Sequence, residues 1–289
     1  MKYLAFASLV ALSVVSSAST IRHDRNDIDY RNLGNSFVAV GEVFTNSGYG
    51  SGTYIGFGNG SHWALTAAHV TNTLADNPQF RVNGNVLGVS QVIAFSGWNL
   101  NFNDFSLLRL TSNPGIAPMA YYNGNGEVGL QAVSVGFGAT GTGLTGINAG
   151  AGTKRGFENM VDVAIVNGST NALFTDFDNP LNAGDSWSGS PTPLNLEGCV
   201  AGGDSGGALL LNVNSVWAIA GVTSTLNWVD GSGDADYGDI SGYSRIGGNN
   251  VGANWIAQNT GIQGVPEPGT MIALGLGLSA LAARRRRKA

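Results

Sequence analysis

The sequence predicts an all-β fold, a sandwich or a pair of barrels, on three observations. Short apolar runs alternate with Gly, Asn and Ser clusters, and sustained helical periodicity is scarce. The stretch between the two chain ends, about 240 residues, suffices for two barrels.

The elements follow in chain order. Lys2, an apolar run from Leu4 to Val15 and the small residues Ser16-Ser17-Ala18 form the three-part pattern of a secretory signal, assigned to residues 1–20. Cleavage after Ala18 fits side-chain size best, and a site one or two residues later is also compatible. Strands are expected at Phe37–Val43, Gly52–Phe57, Trp63–Ala67, Phe105–Leu110, Ala132–Gly136, Ala208–Leu211 and Trp217–Val222. Each is rich in β-branched, Leu or aromatic residues and bounded by turn formers. The Gly-rich stretch Gly138–Gly152 reads as a mobile surface loop, and Ala253–Asn259 is the clearest helix. Val265-Pro266-Glu267-Pro268-Gly269-Thr270 then precedes an apolar segment, Met271–Ala283, and the basic cluster Arg284–Lys288. That segment as a helix reaches only about 20 Å, short of the ~30 Å hydrocarbon core of a bilayer.

Composition narrows the function. The 289 residues are 43% hydrophobic and only 11% charged, so polarity comes from Asn, Ser, Thr and Gly. The 44 glycines follow no three-residue period, which excludes collagen. Six of the 14 basic residues lie at the chain ends, leaving 8 against 19 acidic residues, a body of charge −11. Such a body is no general binder of nucleic acid. A single Cys supplies neither an internal disulfide nor a Cys-based zinc site. No cofactor and no metal are expected.

Three motifs carry chemistry. Trp63-Ala64-Leu65-Thr66-Ala67-Ala68-His69 ends a strand on an imidazole, Asn103-Asp104-Phe105 opens another, and Gly202-Gly203-Asp204-Ser205-Gly206-Gly207 holds a serine in a glycine turn. Each alone has a plain structural reading: a surface histidine, a strand cap, a turn. The order His, Asp, Ser, at intervals of 35 and 101 residues, points instead to nucleophilic catalysis. A serine hydroxyl needs a base within hydrogen-bond reach, and an imidazole, titrating near neutral pH, is suited to that task.

On these motifs the chain resembles the trypsin/chymotrypsin family of serine peptidases from about Ile21 to Thr260. Gly136-Phe137-Gly138, Gly221-Val222-Thr223-Ser224, Gly242-Tyr243-Ser244-Arg245-Ile246 and Trp255-Ile256 fit further family segments. The resemblance implies two antiparallel six-stranded Greek-key β-barrels and a short C-terminal helix. It implies one peptidase domain, residues 21–263, whose barrels meet at about 115–130. It makes Ser205 the nucleophile, His69 the base and Asp104 its orienting partner, with the Gly203 and Ser205 N–H groups as the oxyanion hole. The specificity pocket would involve Cys199, Ser224, Leu226 and Gly242. Asp204 would pair with a new N-terminal ammonium, and Ile21 is the expected terminus.

Departures from the family are equally specific. Gly50 and Val70 stand where the disulfide beside the catalytic His is expected, and Ala201 replaces another Cys. Cys199, six residues before Ser205, takes the place of the carboxylate that gives trypsin its basic preference; the competing reading is a small buried hydrophobe. Leu226 replaces a pocket-wall glycine. A small or apolar P1 residue is expected. The loop Asp230–Asp239 concentrates four carboxylates; Asp spaced with Gly is compatible with calcium binding, but the spacing is not that of an EF-hand and a solvated loop is expected, although one carboxylate reaching the pocket would restore a basic preference.

Residues 264–289 closely resemble the PEP-CTERM sorting signal of Gram-negative bacteria. That resemblance implies an exosortase-type processing enzyme in addition to signal peptidase, transient insertion in the inner membrane, and a cell-surface or extracellular-matrix destination. The expected partner is a protein or peptide substrate. The alternatives are a non-catalytic matrix or adhesion protein on the same fold, and an esterase. The esterase is disfavoured because such enzymes carry Gly-x-Ser-x-Gly and the order Ser, Asp, His.

Overall fold

A computed structural model describes residues 19–100, 103–167 and 170–266. Most of the predicted N-terminal signal and the apolar segment 271–283 lie outside the described residues. Among the described residues, no helix is long and apolar enough to cross a membrane.

The chain opens with β1 (Ser19–Ile21) and helix α1 (Asp27–Ser36). Asp27 and Asp29 lie in the first turn of α1, where carboxylates complement the helix dipole. Only Tyr30 and Gly34 of this helix are buried. The first barrel then runs through β2 (Val40–Phe44), β3 (Tyr49–Gly58), β4 (Ser61–Thr66), β5 (Gln79–Val82), β6 (Asn85–Ala94) and β7 (Ser106–Leu110). It closes in the order β2-β3-β4-β7-β6-β5. Val43, Tyr54, Ala64, Phe80, Leu87 and Leu108 fill its interior. The four expected N-terminal strands fall on β2, β3, β4 and β7. By contrast, only Leu87 of β6 is buried, and its apolar residues are interrupted by Gly88, Ser90 and Gln91.

After β8 (Ala120–Tyr121) come β9 (Gln131–Gly136), β10 (Thr140–Thr142), β11 (Gly146–Ala149), β12 (Arg155–Met160), β13 (Val163–Asn167) and β14 (Thr170–Asp176). The series ends with β15 (Gly198–Cys199), β16 (Ala208–Val213), β17 (Val216–Asn227), β18 (Ile240–Arg245) and helix α2 (Val251–Thr260). The second sheet has the path β12-β9-β16-β17-β18-β14-β13, and β8 pairs with β17. Its two flanks meet where the Asn159 side-chain amide donates to the Asp176 carbonyl at 2.5 Å and the Asp162 N–H donates to the Phe174 carbonyl at 3.0 Å. Six strands thus encircle a second apolar interior around Phe157, Leu173, Leu209, Leu211 and Tyr243.

The stretch 138–152 is not the surface loop expected from its glycines. It supplies β10 and β11 to a small sheet of order β11-β10-β1-β15, because the N-terminal residues dock against it as a partner strand.

The largest apolar cluster lies between the barrels. It joins Leu65, Phe105 and Leu107 of the first barrel to Val133, Leu210 and Ile219 of the second, with Ile256 of α2. Fully burying each such side chain is worth about 1.5–3 kcal/mol, so this seam fixes the two barrels relative to each other.

Candidate active site

Sheet register closes the gap between His69 and Asp104. Strands β4 and β7 pair antiparallel with Thr66 opposite Ser106, so the chain leaving β4 emerges beside the chain entering β7. His69 Nδ1 lies 2.6 Å from Asp104 Oδ2, and the His69 backbone N–H donates to Oδ1 at 2.9 Å. Asp104 is fully buried, so its charge needs several donors. The Ser224 hydroxyl supplies another, at 2.6 Å to Oδ2, while the Asp104 N–H donates to Ser244 Oγ at 2.9 Å. Both serines belong to the second barrel. The neighbouring Phe105 stacks on Trp255 of α2, with centroids 6.1 Å apart. The other histidines meet tyrosine hydroxyls, His23 that of Tyr237 and His62 that of Tyr54.

Ser205 sits in the turn between β15 and β16. Gly203 and Gly206 there adopt φ of +104° and +85°, a region that favours glycine. A Cβ on Gly206 would also stand 2.2 Å from both Ser51 O and Thr66 Oγ1. The turn is tied down by hydrogen bonds from Ser51 N–H to Ser205 O (2.7 Å) and from Gly206 N–H to Thr223 O (2.8 Å). Ser51 Oγ donates to Gly203 O at 2.9 Å and accepts from the Phe137 N–H at 3.0 Å. Among the described residues, the N–H groups of Gly203 and Ser205 meet no acceptor. His69 and Ser205 line one cleft of about 210 Å³ with Ser47, Tyr49 and Val70. Ser51 and Ser244 escaped the sequence reading; the setting Gly50-Ser51-Gly52 was the one available signal for Ser51.

Gly50 and Val70 do face each other. A Cβ on Gly50 would lie 2.7 Å from a Val70 methyl and 2.8 Å from Ser205 O, so the Val70 side chain occupies the space of a bridge.

Asp204 is buried beneath the turn. It accepts hydrogen bonds from Gly138 N–H (2.8 Å), Ala201 N–H (2.9 Å) and Ser19 Oγ (3.0 Å). Burial pushes its carboxyl up to about 6 against these donors. In the unprocessed chain the residue beside Asp204 is therefore Ser19, not Ile21. Pairing of β1 with β10 sets Ser19 opposite Thr140 and Ile21 opposite Thr142, which carries Ile21 past the carboxylate. The Ile21 side chain instead joins the interior of the second barrel.

The pocket residues divide. Cys199 is fully buried and packs with Phe177, Ala235, Tyr237 and Leu226, its sulfur 3.3 Å from Ser241 Oγ. Burial pushes the thiol pKa far up, so it stays neutral. The reading of Cys199 as a small buried hydrophobe fits this setting. Ser224 turns its hydroxyl to Asp104. Gly242 does not face Cys199: a Cβ there would meet Thr225 Oγ1 at 2.3 Å. Its neighbour Ser241 occupies that face, since adjacent strand residues point to opposite sides.

A fold of two barrels, with a half-buried His paired to a buried Asp and a glycine-bounded serine opening on one cleft, defines a trypsin-like protein. The trypsin family profile matches residues 34–250, well over half of the sequence, and the chain belongs to that family. Residues 264–287 match the PEP-CTERM protein-sorting motif. This signal marks the protein for export and cell-surface sorting in Gram-negative bacteria, with processing by exosortase-type machinery. No curated protein matches the chain.

Proposed function

We propose that the protein is an exported serine endopeptidase in which Ser205, His69 and Asp104 form the catalytic triad. The observation that carries this reading is the 2.6 Å His69–Asp104 contact opening on the cleft that Ser205 lines.

Asp104 holds the Nδ1 face of His69, which leaves Nε2 to accept the Ser205 proton. The Ser205 oxygen then attacks the scissile carbonyl, and the resulting oxyanion takes hydrogen bonds from the Gly203 and Ser205 N–H groups. His69 passes its proton to the leaving amine, giving an acyl-enzyme. Water, deprotonated by His69, attacks the ester, and the proton returns to Ser205 as the acid departs.

The P1 residue is small or apolar. This reading is supported by neutral Cys199 and Ser241, which offer a basic side chain no carboxylate, and by Leu226 packed against Cys199. Asp239, the acidic residue of the loop nearest this region, is itself buried and engaged by the Ala235 N–H. Removal of residues 1–18 would free an ammonium on Ser19, the residue whose hydroxyl already reaches Asp204.

Cleavage of a peptide library by the exported protein tests the reading. Hydrolysis after Ala, Val or Leu is expected, falling by about six orders of magnitude in Ser205→Ala. Cleavage after Arg or Lys would refute the pocket assignment. No cleavage of any peptide would favour the non-catalytic adhesion protein.

A further inference from the structure

The loop between β17 and β18 gathers acidic side chains that meet no basic partner among the described residues. One carboxylate oxygen from each of Asp234, Asp236 and Asp239 lies within 4.8 Å of the others. Oxygens bound to one calcium ion at about 2.4 Å can be no more than twice that distance apart, so the cluster already fits within one coordination sphere. Asp239 is only 1% exposed. Its Oδ2 accepts from the Ala235 N–H at 2.8 Å, while its Oδ1 is buried without a hydrogen-bond partner among the described residues. Oδ1 of Asp234 and Oδ1 of Asp236 are buried and unpartnered in the same way.

Unpartnered buried carboxylate oxygens are costly, and a folded chain supplies them with donors or a metal. Here no Lys or Arg forms an ion pair with any of the three among the described residues. A cation would supply the partner that these oxygens lack.

We infer that Asp234, Asp236 and Asp239 bind a divalent cation of the calcium type. The donors are all hard oxygens, which disfavours zinc and copper. They come from an irregular loop, which suits the variable coordination of calcium better than the strict octahedron of magnesium. The short spacing closes because the chain turns at Ala235, where φ is +60°.

The location gives the ion a structural task. Ala235 and Tyr237 pack directly on Cys199 and Phe177, behind the proposed pocket. The Asp234 carbonyl accepts from the Ile147 N–H at 2.7 Å, and the Tyr237 N–H donates to Gly143 O at 3.0 Å. The ion therefore braces the pocket wall against the sheet that carries Ser19. That consequence rests on the peptidase reading, whereas binding itself does not.

Calorimetric titration of the exported protein in the Ser205→Ala background, after chelation, separates the two. One equivalent of CaCl₂ is expected to bind with sub-millimolar Kd and to raise Tm by roughly 5–10 °C at a hundredfold excess over Kd. Asp239→Asn should weaken Kd by about tenfold or more, because ligand charge sets calcium affinity. Asp234→Asn, at a less buried position, should do the same if Asp239→Asn fails to fold. Absence of binding, calcium affinity unchanged in the variants, or equal affinity for MgCl₂ would overturn the assignment. Loss of peptidase activity alone would not bear on it.

Discussion

Asp104 depends on residues from the opposite barrel. Ser224 and Ser244 fix its carboxylate and its backbone, so the orientation of His69 is set across the seam. A hydrogen bond to a charged group is worth about 1.5–3 kcal/mol. Ser224→Ala should therefore lower kcat by about tenfold or more while leaving KM nearly unchanged, read in steady-state kinetics. A loss confined to KM would show that Ser224 serves the pocket instead. Ser19 supplies a second test at this scale. N-terminal sequencing of the mature protein should give Ser19, and retaining residues before Ser19 should sharply reduce kcat. A fully active protein starting at Ile21 would contradict the Ser19–Asp204 contact as the activating one. The residues of the proposed triad stood out in the sequence because each has a strong local context of strand end or glycine turn. The place of Ser241 beside Cys199 did not, because it follows from the facing of strand β18 and not from a local motif.

Helix α2 acts on the site from behind. Its Trp255 stacks on Phe105, next in sequence to Asp104, and its Ile256 is fully buried in the seam between the barrels. Ile256→Ala should lower stability by about 2–5 kcal/mol in denaturant unfolding. A cost below half a kilocalorie would mean that α2 does not brace the seam. The sequence announced α2 through its apolar residues Trp255 and Ile256. It concealed α1, whose ten residues are largely polar and whose place is fixed by long-range contacts. One is the ion pair of Asp27 with fully buried Arg155, and another is Gly34 packed tightly on the backbone of Arg155 and Gly156. Strand β6 was hidden for the same reason: its pairing with β5 and β7, not its own hydrophobicity, makes it a strand.

Across the whole molecule, the deficit of basic residues leaves buried carboxylates that hold protons. Burial and the nearby Asp176 push Asp162 up to about 8, and burial does the same to Glu197. Burial and Asp176 push Asp178 up to about 6. A carboxyl whose pKa is raised on folding binds its proton more tightly in the folded state. That contribution is fully present below the unfolded value, near 4, and is lost as pH rises toward 8. Tm of the chelated protein should accordingly rise on acidification from pH 7 to pH 5, and Glu197→Gln should flatten that dependence. A Tm that falls over this interval would contradict the burial of uncompensated carboxylates. Six of the basic residues lie at the two chain ends, which leaves the body at −11. The proposed catalysis in that acidic body rests on the His69–Asp104–Ser205 constellation. Reaction of the exported protein with a fluorophosphonate probe, followed by mass mapping of the adduct, tests it most directly. The expected result is one adduct on Ser205, lost in His69→Ala; an unlabelled protein, or an adduct on another residue, would contradict it.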